Sequence, residues 1–478
     1  MANFSFYWHD YETFGVDPAR DRPCQFAGIR TDADFNIIGE PLVIYCQPSA
    51  DVLPQPEACL ITGITPQQAL DKGVCEAEFI RQIHAELSQP GTCGVGYNSL
   101  RFDDEVSRYT LYRNFYDPYA REWQGGNSRW DIIDMVRACC ALRPDGINWP
   151  RHEDGSPSFK LEQLTAANGI DHQAAHDALS DVYATIALAK LIKQKQPKLF
   201  DYLFKLRNKR EVSALLNVAE KTPVLHTSAM FPASRFCTTL VMPLAMHPVN
   251  KNGVICYDLS VDPTPLLTLD ADQIRERLYT AAADLPEGVE RIALKTVHIN
   301  RCPVLATAKL LDESVARKIS LDLPAARGHY KQLMADTALA EKLAAVFLQH
   351  DFPPQTDPDL MLYSGGFFSQ NDKNTFSKIR AATADELREQ SFPFEDKRLA
   401  EMLFRYRARN YLGSLTEAER LQWSEYCFQR LTDPAFGASI TMEGFLEKIH
   451  LLLESGDKTE HEQAILEQLL DYSDGLLV

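Results

Sequence analysis

Apolar-rich runs at residues 4–12, 25–30 and 36–46 predict three consecutive strands, with the turn Thr31-Asp32-Ala33-Asp34 separating the last two. A short helical stretch follows at 66–71. The spacing of Phe79, Ile80, Ile83 and Leu87 then predicts a helix over 76–87. Residues 91–97 read as a strand, and helical patterns dominate at 102–114, 130–142, 159–167 and 177–195. Antiparallel strands followed by alternating strand and helix predict an α/β fold, a mixed sheet covered by helices.

The pattern changes after Gln196-Pro197. Residues 224–228, 238–247, 253–259, 292–300 and 303–306 are strand-like, and Asn252-Gly253 is a hairpin signal. Short strands joined by turns predict a small β-barrel or curled sheet, finished by helices near 314–319 and 338–349. Pro353, Pro354 and Pro358 then mark a stiff connection. Everything beyond it reads as helix, with Thr416 and Glu419 forming a capping box. The expected segments are 1–196, 197–350 and 354–478.

A chain of 478 residues, 45% hydrophobic and 24% charged, fits a multidomain globular protein. No apolar run is long enough to span a bilayer, and the first twelve residues lack a positive leader region. Eleven cysteines without a C-x-x-C pair argue against a zinc site and for free, buried thiols in a reducing cytoplasm. A net charge of −17 weighs against a nucleic-acid partner. Phosphate contacts are local, however, and a centre that gathers metal ions with carboxylates is itself acidic.

Three segments carry candidate chemistry. On a strand, residues two apart share a face, so Asp10 and Glu12 project together. Two such carboxylates resist joint ionisation unless a cation sits between them, and oxygen ligands alone favour magnesium or manganese. Asp103, Asp104 and Glu105 open a helix, where acids complement the helix dipole. Of these Asp103, beside the apolar Phe102, is expected to face inward. In His176-Asp177-Ala178-Leu179-Ser180-Asp181, five helical residues advance about 140° past a full turn. His176 therefore belongs on the preceding loop, and Asp181 on the helix.

Taken together, Asp10/Glu12, Asn98/Phe102/Asp103 and His176/Ala178/Asp181 resemble the three motifs of the DEDDh exonucleases. Further segments resemble the bacterial exodeoxyribonuclease I family: 9–15, 116–119, 146–150, 176–184 and 405–410. The resemblance implies a ribonuclease-H-like exonuclease domain, an SH3-like β-barrel domain and an all-helical C-terminal domain. It implies 3′ to 5′ degradation of single-stranded DNA to nucleoside 5′-monophosphates, in DNA repair and recombination. Asp10, Glu12, Asp103 and Asp181 are expected to hold two Mg2+ ions, for which Mn2+ can substitute, roughly 3.5–4 Å apart. His176 is the expected general base.

Single-strand binding asks for aromatic stacking platforms and cationic phosphate contacts. Arg108, Tyr119, Trp123, Arg137 and Lys160, with Glu12, are the expected substrate contacts, by resemblance and by type. The basic-aromatic run 397–411 is expected to close over the DNA. A further implied partner is the acidic, hydrophobic C-terminal tail of single-stranded-DNA-binding protein, met by Arg143 and Tyr202. A monomer is expected. Two other readings compete: an exonuclease acting on RNA, and a binding scaffold on an inactive nuclease fold. The scaffold predicts a broken carboxylate, and none is broken.

Overall fold

The computed structural model describes residues 4–172, 177–348 and 354–476. The chain forms two compact units: residues 1–128, 172–183 and 353–478 in the first, 129–171 and 184–352 in the second. These units divide the chain differently from the three sequence segments, because the first unit joins the beginning of the chain to its end.

In the first unit, strands β1 (Ser5–Thr13), β2 (Pro23–Thr31), β3 (Leu42–Tyr45) and β4 (Thr92–Gly96) lie in the order β3-β2-β1-β4. β1 runs antiparallel to β2 and parallel to β4, so the sheet is mixed. Strand alternation sends Tyr7 and Tyr11 into a core with Phe26, Phe79, Ile80 and Ile83, the last three from the predicted stripe of helix Glu76–Leu87. The even-numbered residues, Phe6, Trp8, Asp10 and Glu12, therefore share the opposite face. β3 is shorter than expected, because Phe35 takes a left-handed backbone (φ 64°) and Ile37 makes only an isolated bridge to Thr31.

The C-terminal helices complete this unit's interior. Helices Met442–Glu454 and Glu460–Asp474 bring Met442, Phe445, Ile449, Ile465, Leu466 and Leu469 into one core with Phe14, Cys24, Leu53 and Cys59. A second tie is electrostatic. Arg409 pairs with Asp51 and Asp359 at 2.7 Å each, and Arg405 pairs with Asp357 at 2.6 Å, with Asp359 at 3.1 Å and with Glu401 at 2.8 Å. Arg407 binds Glu419, and Arg398 binds Asp396. This corrects the expectation that 397–411 closes over DNA: Arg398, Arg405 and Arg407 are buried, the Arg409 side chain is only 4% exposed, and all four are committed to carboxylates. The sequence displays their charge but not their partners, which lie up to 358 residues away.

The second unit begins at Arg129, within β5 (Ser128–Asp131), which reaches into the first turn of the expected helix 130–142; the helix itself spans Ile133–Leu142. Its sheet is antiparallel, in the order β10-β6-β7-β8-β9, from β6 (Val224–Thr227), β7 (Thr238–Met246), β8 (Gly253–Asp258), β9 (Leu294–His298) and β10 (Val304–Thr307). Cys140, Ala141 and Leu142 join the core of this sheet with Met242, Ile255 and Tyr257, which explains why residues 129–171 belong to this unit. All eleven cysteines are free and most are buried. Among the described residues no helix is long and apolar enough to cross a membrane.

Candidate metal centre

The centre is built on the even-numbered face of β1. Asp10 and Glu12 stand opposite Ala27 and Gln25 of β2, and a register shift follows immediately between Glu12 and Thr13. β4 pairs with β1 only over Ser5–Trp8, so the Tyr11 amide lies beyond that ladder. It donates to Asp103 Oδ1 at 3.0 Å, fixing the carboxylate beside the strand between Asp10 and Glu12. Asp181 comes from the first turn of helix Ala178–Lys195, where its amide donates to the Asp177 carbonyl at 3.0 Å. One carboxylate oxygen each of Asp10, Glu12 and Asp181 lies within 4.8 Å of the other two.

The neighbouring acids have other work. Exposed Asp177 accepts the Ser180 amide at the start of its helix. Asp104, expected as a simple helix-start acid, is instead buried in an ion pair with Arg121 at 2.7 Å. His172, which the sequence reading passed over, brings Nε2 to 2.5 Å from Asp181 Oδ1. Its only sequence signal is proximity to the third motif. His176, the expected general base, lies outside the described residues.

Burial and mutual repulsion govern this site. Burial first, then Asp103, Glu12 and Asp181, push the Asp10 carboxyl well above its ordinary range. Burial, Asp181 and Asp103 push Glu12 up to about 8. Like charges this close favour the protonated form unless a cation compensates them. An all-oxygen donor set of mutually raised carboxylates suits a hard divalent cation, and the residues present therefore fit such a group.

The expected substrate contacts fall in both units. In the first, buried Arg108 is held by Glu122 through two hydrogen bonds of 2.8 and 2.9 Å, and by Glu105 at 2.8 Å. Its guanidinium lies 5.2 Å from the centre of the Tyr119 ring. Tyr119 and Trp123 line a cavity of about 300 Å³ with Tyr116, Phe367, Phe368 and Lys373. Trp123 is 64% exposed and Phe367 88% exposed, an open aromatic pair whose second member the sequence reading missed. In the second unit Arg137 bonds Asp134 at 2.6 Å, and exposed Lys160 precedes helix Leu161–Ala167. Arg143 and Tyr202 line a separate cavity of about 590 Å³ with Lys198, Leu199 and Leu310. Tyr202 Oη is buried there with no hydrogen-bond partner among the described residues.

Residues 7–189, which carry the mixed sheet and its converging carboxylates, match the Exonuclease family, and this places the chain in the exonuclease class. Residues 207–349 match the Exonuclease I SH3-like domain, and 356–476 the Exonuclease I C-terminal domain. Exodeoxyribonuclease I of Haemophilus influenzae is 48% identical over 479 residues, covering 100% of both chains. The Escherichia coli protein of that name is 48% identical, over 99% of this chain and 98% of its own. Exonuclease I of Methylocaldum szegediense superposes with a TM-score of 0.95 at 51% identity, over 99% of this chain and 100% of its own. E. coli Exonuclease I with a dA16 oligonucleotide also gives 0.95, at 48% identity over 99% and 100%. A zinc-bound E. coli complex with single-stranded DNA gives the same score and identity, over 100% of both chains. The chain belongs to the exodeoxyribonuclease I family. It is an enzyme, an exonuclease, and its exonuclease domain implies dependence on a divalent metal.

Proposed function

We propose that the chain degrades single-stranded DNA from the 3′ end, releasing nucleoside 5′-monophosphates, in DNA repair and recombination. The observation that carries this reading is the grouping of Asp10, Glu12 and Asp181 beside Asp103 on one sheet face. The single-stranded DNA in complexes of the E. coli relative supports the substrate assignment. We assign 1–196, 197–350 and 354–478 as the exonuclease, SH3-like and helical sequence domains.

Asp10, Glu12, Asp103 and Asp181 would hold two Mg2+ ions, replaceable by Mn2+, which would supply charge neutralisation at the scissile phosphate, a lowered pKa for the attacking water and stabilisation of the leaving 3′ oxygen. The Tyr11 amide keeps Asp103 oriented. His176 takes the proton of the attacking water, as its ordinary pKa near 6.5 allows at neutral pH. Tyr119 and Trp123 stack bases, with Arg108 backing the Tyr119 ring. Arg137 and Lys160 meet backbone phosphates. No covalent enzyme intermediate is required.

The second cavity fits the acidic, hydrophobic tail of single-stranded-DNA-binding protein. Arg143 and Lys198 supply charge, Leu199 and Leu310 an apolar floor, and Tyr202 an unsatisfied hydroxyl. The enzyme acts as a monomer in the cytoplasm.

The deciding experiment is Asp10→Ala, assayed for folding, oligonucleotide binding and nucleotide release in Mg2+. Folding and binding persist while release is nearly abolished; substantial residual release refutes the assignment. Oligonucleotides labelled at the 5′ end, unblocked or blocked at the 3′ end, test polarity. A matched RNA oligonucleotide tests sugar selection.

A further inference from the structure

Two residues beyond Glu12, the chain leaves β1 and enters a turn held from the C-terminal helical segment. The Phe14 side chain is buried in the core that Ile440, Met442 and Phe445 form. Its amide donates to the Arg22 carbonyl at 2.9 Å, and its own carbonyl accepts the Gln55 amide at 2.6 Å. Thr13 Oγ1 donates to the Gly15 carbonyl at 2.6 Å. The turn then folds around Asp21, a carboxylate only 3% exposed. Asp21 Oδ2 accepts the Asp17 amide at 2.8 Å, and Oδ1 accepts the hydroxyl of Ser439.

Gly15 permits this arrangement. A Cβ at that position would stand 2.1 Å from Asp21 Oδ2, so any side chain displaces the carboxylate. Gly15 has an ordinary backbone angle, which makes the requirement one of space and not of conformation. Among the described residues Asp21 hydrogen-bonds to Asp17 and Ser439 and not to Asp10 or Glu12. The turn that Asp21 holds joins β1 directly at the irregular step between Glu12 and Thr13.

We infer that Ser439 and Asp21 are positioning residues for Glu12: the helical segment fixes the turn that sets the end of the metal-binding strand. The inference rests on the proposed metal centre, and it gives the C-terminal segment a part in metal binding. Loss of the Ser439 hydroxyl leaves a buried carboxylate with one donor fewer, and the turn relaxes to find water. Glu12 then samples orientations that no longer converge with Asp10 and Asp181.

The test uses full-length protein and Mn2+ as the probe, titrated calorimetrically without DNA, alongside steady-state kinetics on an oligonucleotide. Ser439→Ala is expected to weaken Mn2+ binding about tenfold and lower kcat about tenfold, the size of one lost hydrogen bond to a buried charge, with KM little changed. Ser439→Thr keeps the hydroxyl and restores both. Gly15→Ala reproduces the Ser439→Ala result by displacing Asp21, and it carries the test alone if Ser439→Ala does not fold. Amide exchange across residues 14–22 speeds up in both damaged variants. Mn2+ affinity and kcat within about twofold of wild type in Ser439→Ala would overturn the inference, as would a lowered Tm with unchanged affinity. Asp10→Ala serves as the control. If it binds Mn2+ like wild type, the metal centre itself is wrong; if it loses binding while Ser439→Ala does not, only this inference fails.

Discussion

Replacing Glu12 by glutamine removes a charge and keeps the shape of the protonated acid. In the metal-free protein Glu12 is raised from its ordinary 4.5 to about 8 by burial, then by Asp181 and Asp103. A carboxyl raised on folding is bound to a proton in the native state over a range where the unfolded chain has released it. Metal-free stability therefore falls as pH rises from 4.5 to about 8, and the penalty is complete above that. At about 1.4 kcal/mol per pKa unit, the rise corresponds to a penalty of order 5 kcal/mol, shared with the other acids of the cluster. Urea unfolding in EDTA at about pH 4 should give Glu12→Gln and wild type nearly equal stability, because below its ordinary 4.5 Glu12 is largely neutral in both the folded and the unfolded chain. At about pH 9 the variant should be more stable by several kcal/mol. Adding Mn2+ at the higher pH should reverse the order, since wild type gains the cation's binding energy and the variant largely forfeits it. Equal stabilities at both pH values, or a variant less stable in EDTA at the higher one, would refute the electrostatic account of the site.

Other outcomes follow from the same geometry. Trp123→Ala should weaken oligonucleotide binding by about 1–3 kcal/mol, the worth of one stacked base, measured by fluorescence anisotropy in EDTA. Tyr202→Ala and Arg143→Ala should reduce binding of an acidic, apolar-ended peptide in calorimetry and leave cleavage of free oligonucleotide unchanged. Asp359→Asn breaks the pairing with Arg405 and Arg409 and should cost about 3–5 kcal/mol in urea unfolding. Glu76 faces burial, but Arg113 and Arg22 hold it down at about 2, so its contribution should vanish as pH falls from 4.5 towards 2, read from acid unfolding curves.

What the sequence revealed depends on the range of the cause. Asp10 and Glu12 were legible because a period of two is local to their strand. The buried stripe of helix Glu76–Leu87 was legible for the same reason, its spacing being written in adjacent turns. Asp103 needed more: its inward orientation depends on a backbone amide 92 residues earlier, one that β4 stops short of using. β5 was hidden because its residues run straight into a helix with no turn signal between them. The fate of Arg405 and Arg409 was not legible at all, since a charge pattern does not say which carboxylates will arrive. Phe367 was missed because an exposed aromatic outside any periodic element carries no local signature.

The core that Phe14 shares with Phe445 and Leu466 also bears on how the protein is made. During synthesis the strand carrying Asp10 and Glu12 leaves the ribosome long before helices Met442–Glu454 and Glu460–Asp474. At about 5–20 residues per second, roughly a minute and a half separates the two at the slower rate and about twenty seconds at the faster. Throughout that interval Phe14 lacks its partners Ile440, Met442 and Phe445, and Asp51 lacks Arg409 and Arg430. The packing that closes this end of the metal-binding strand is therefore completed late, after the strand itself has long been made.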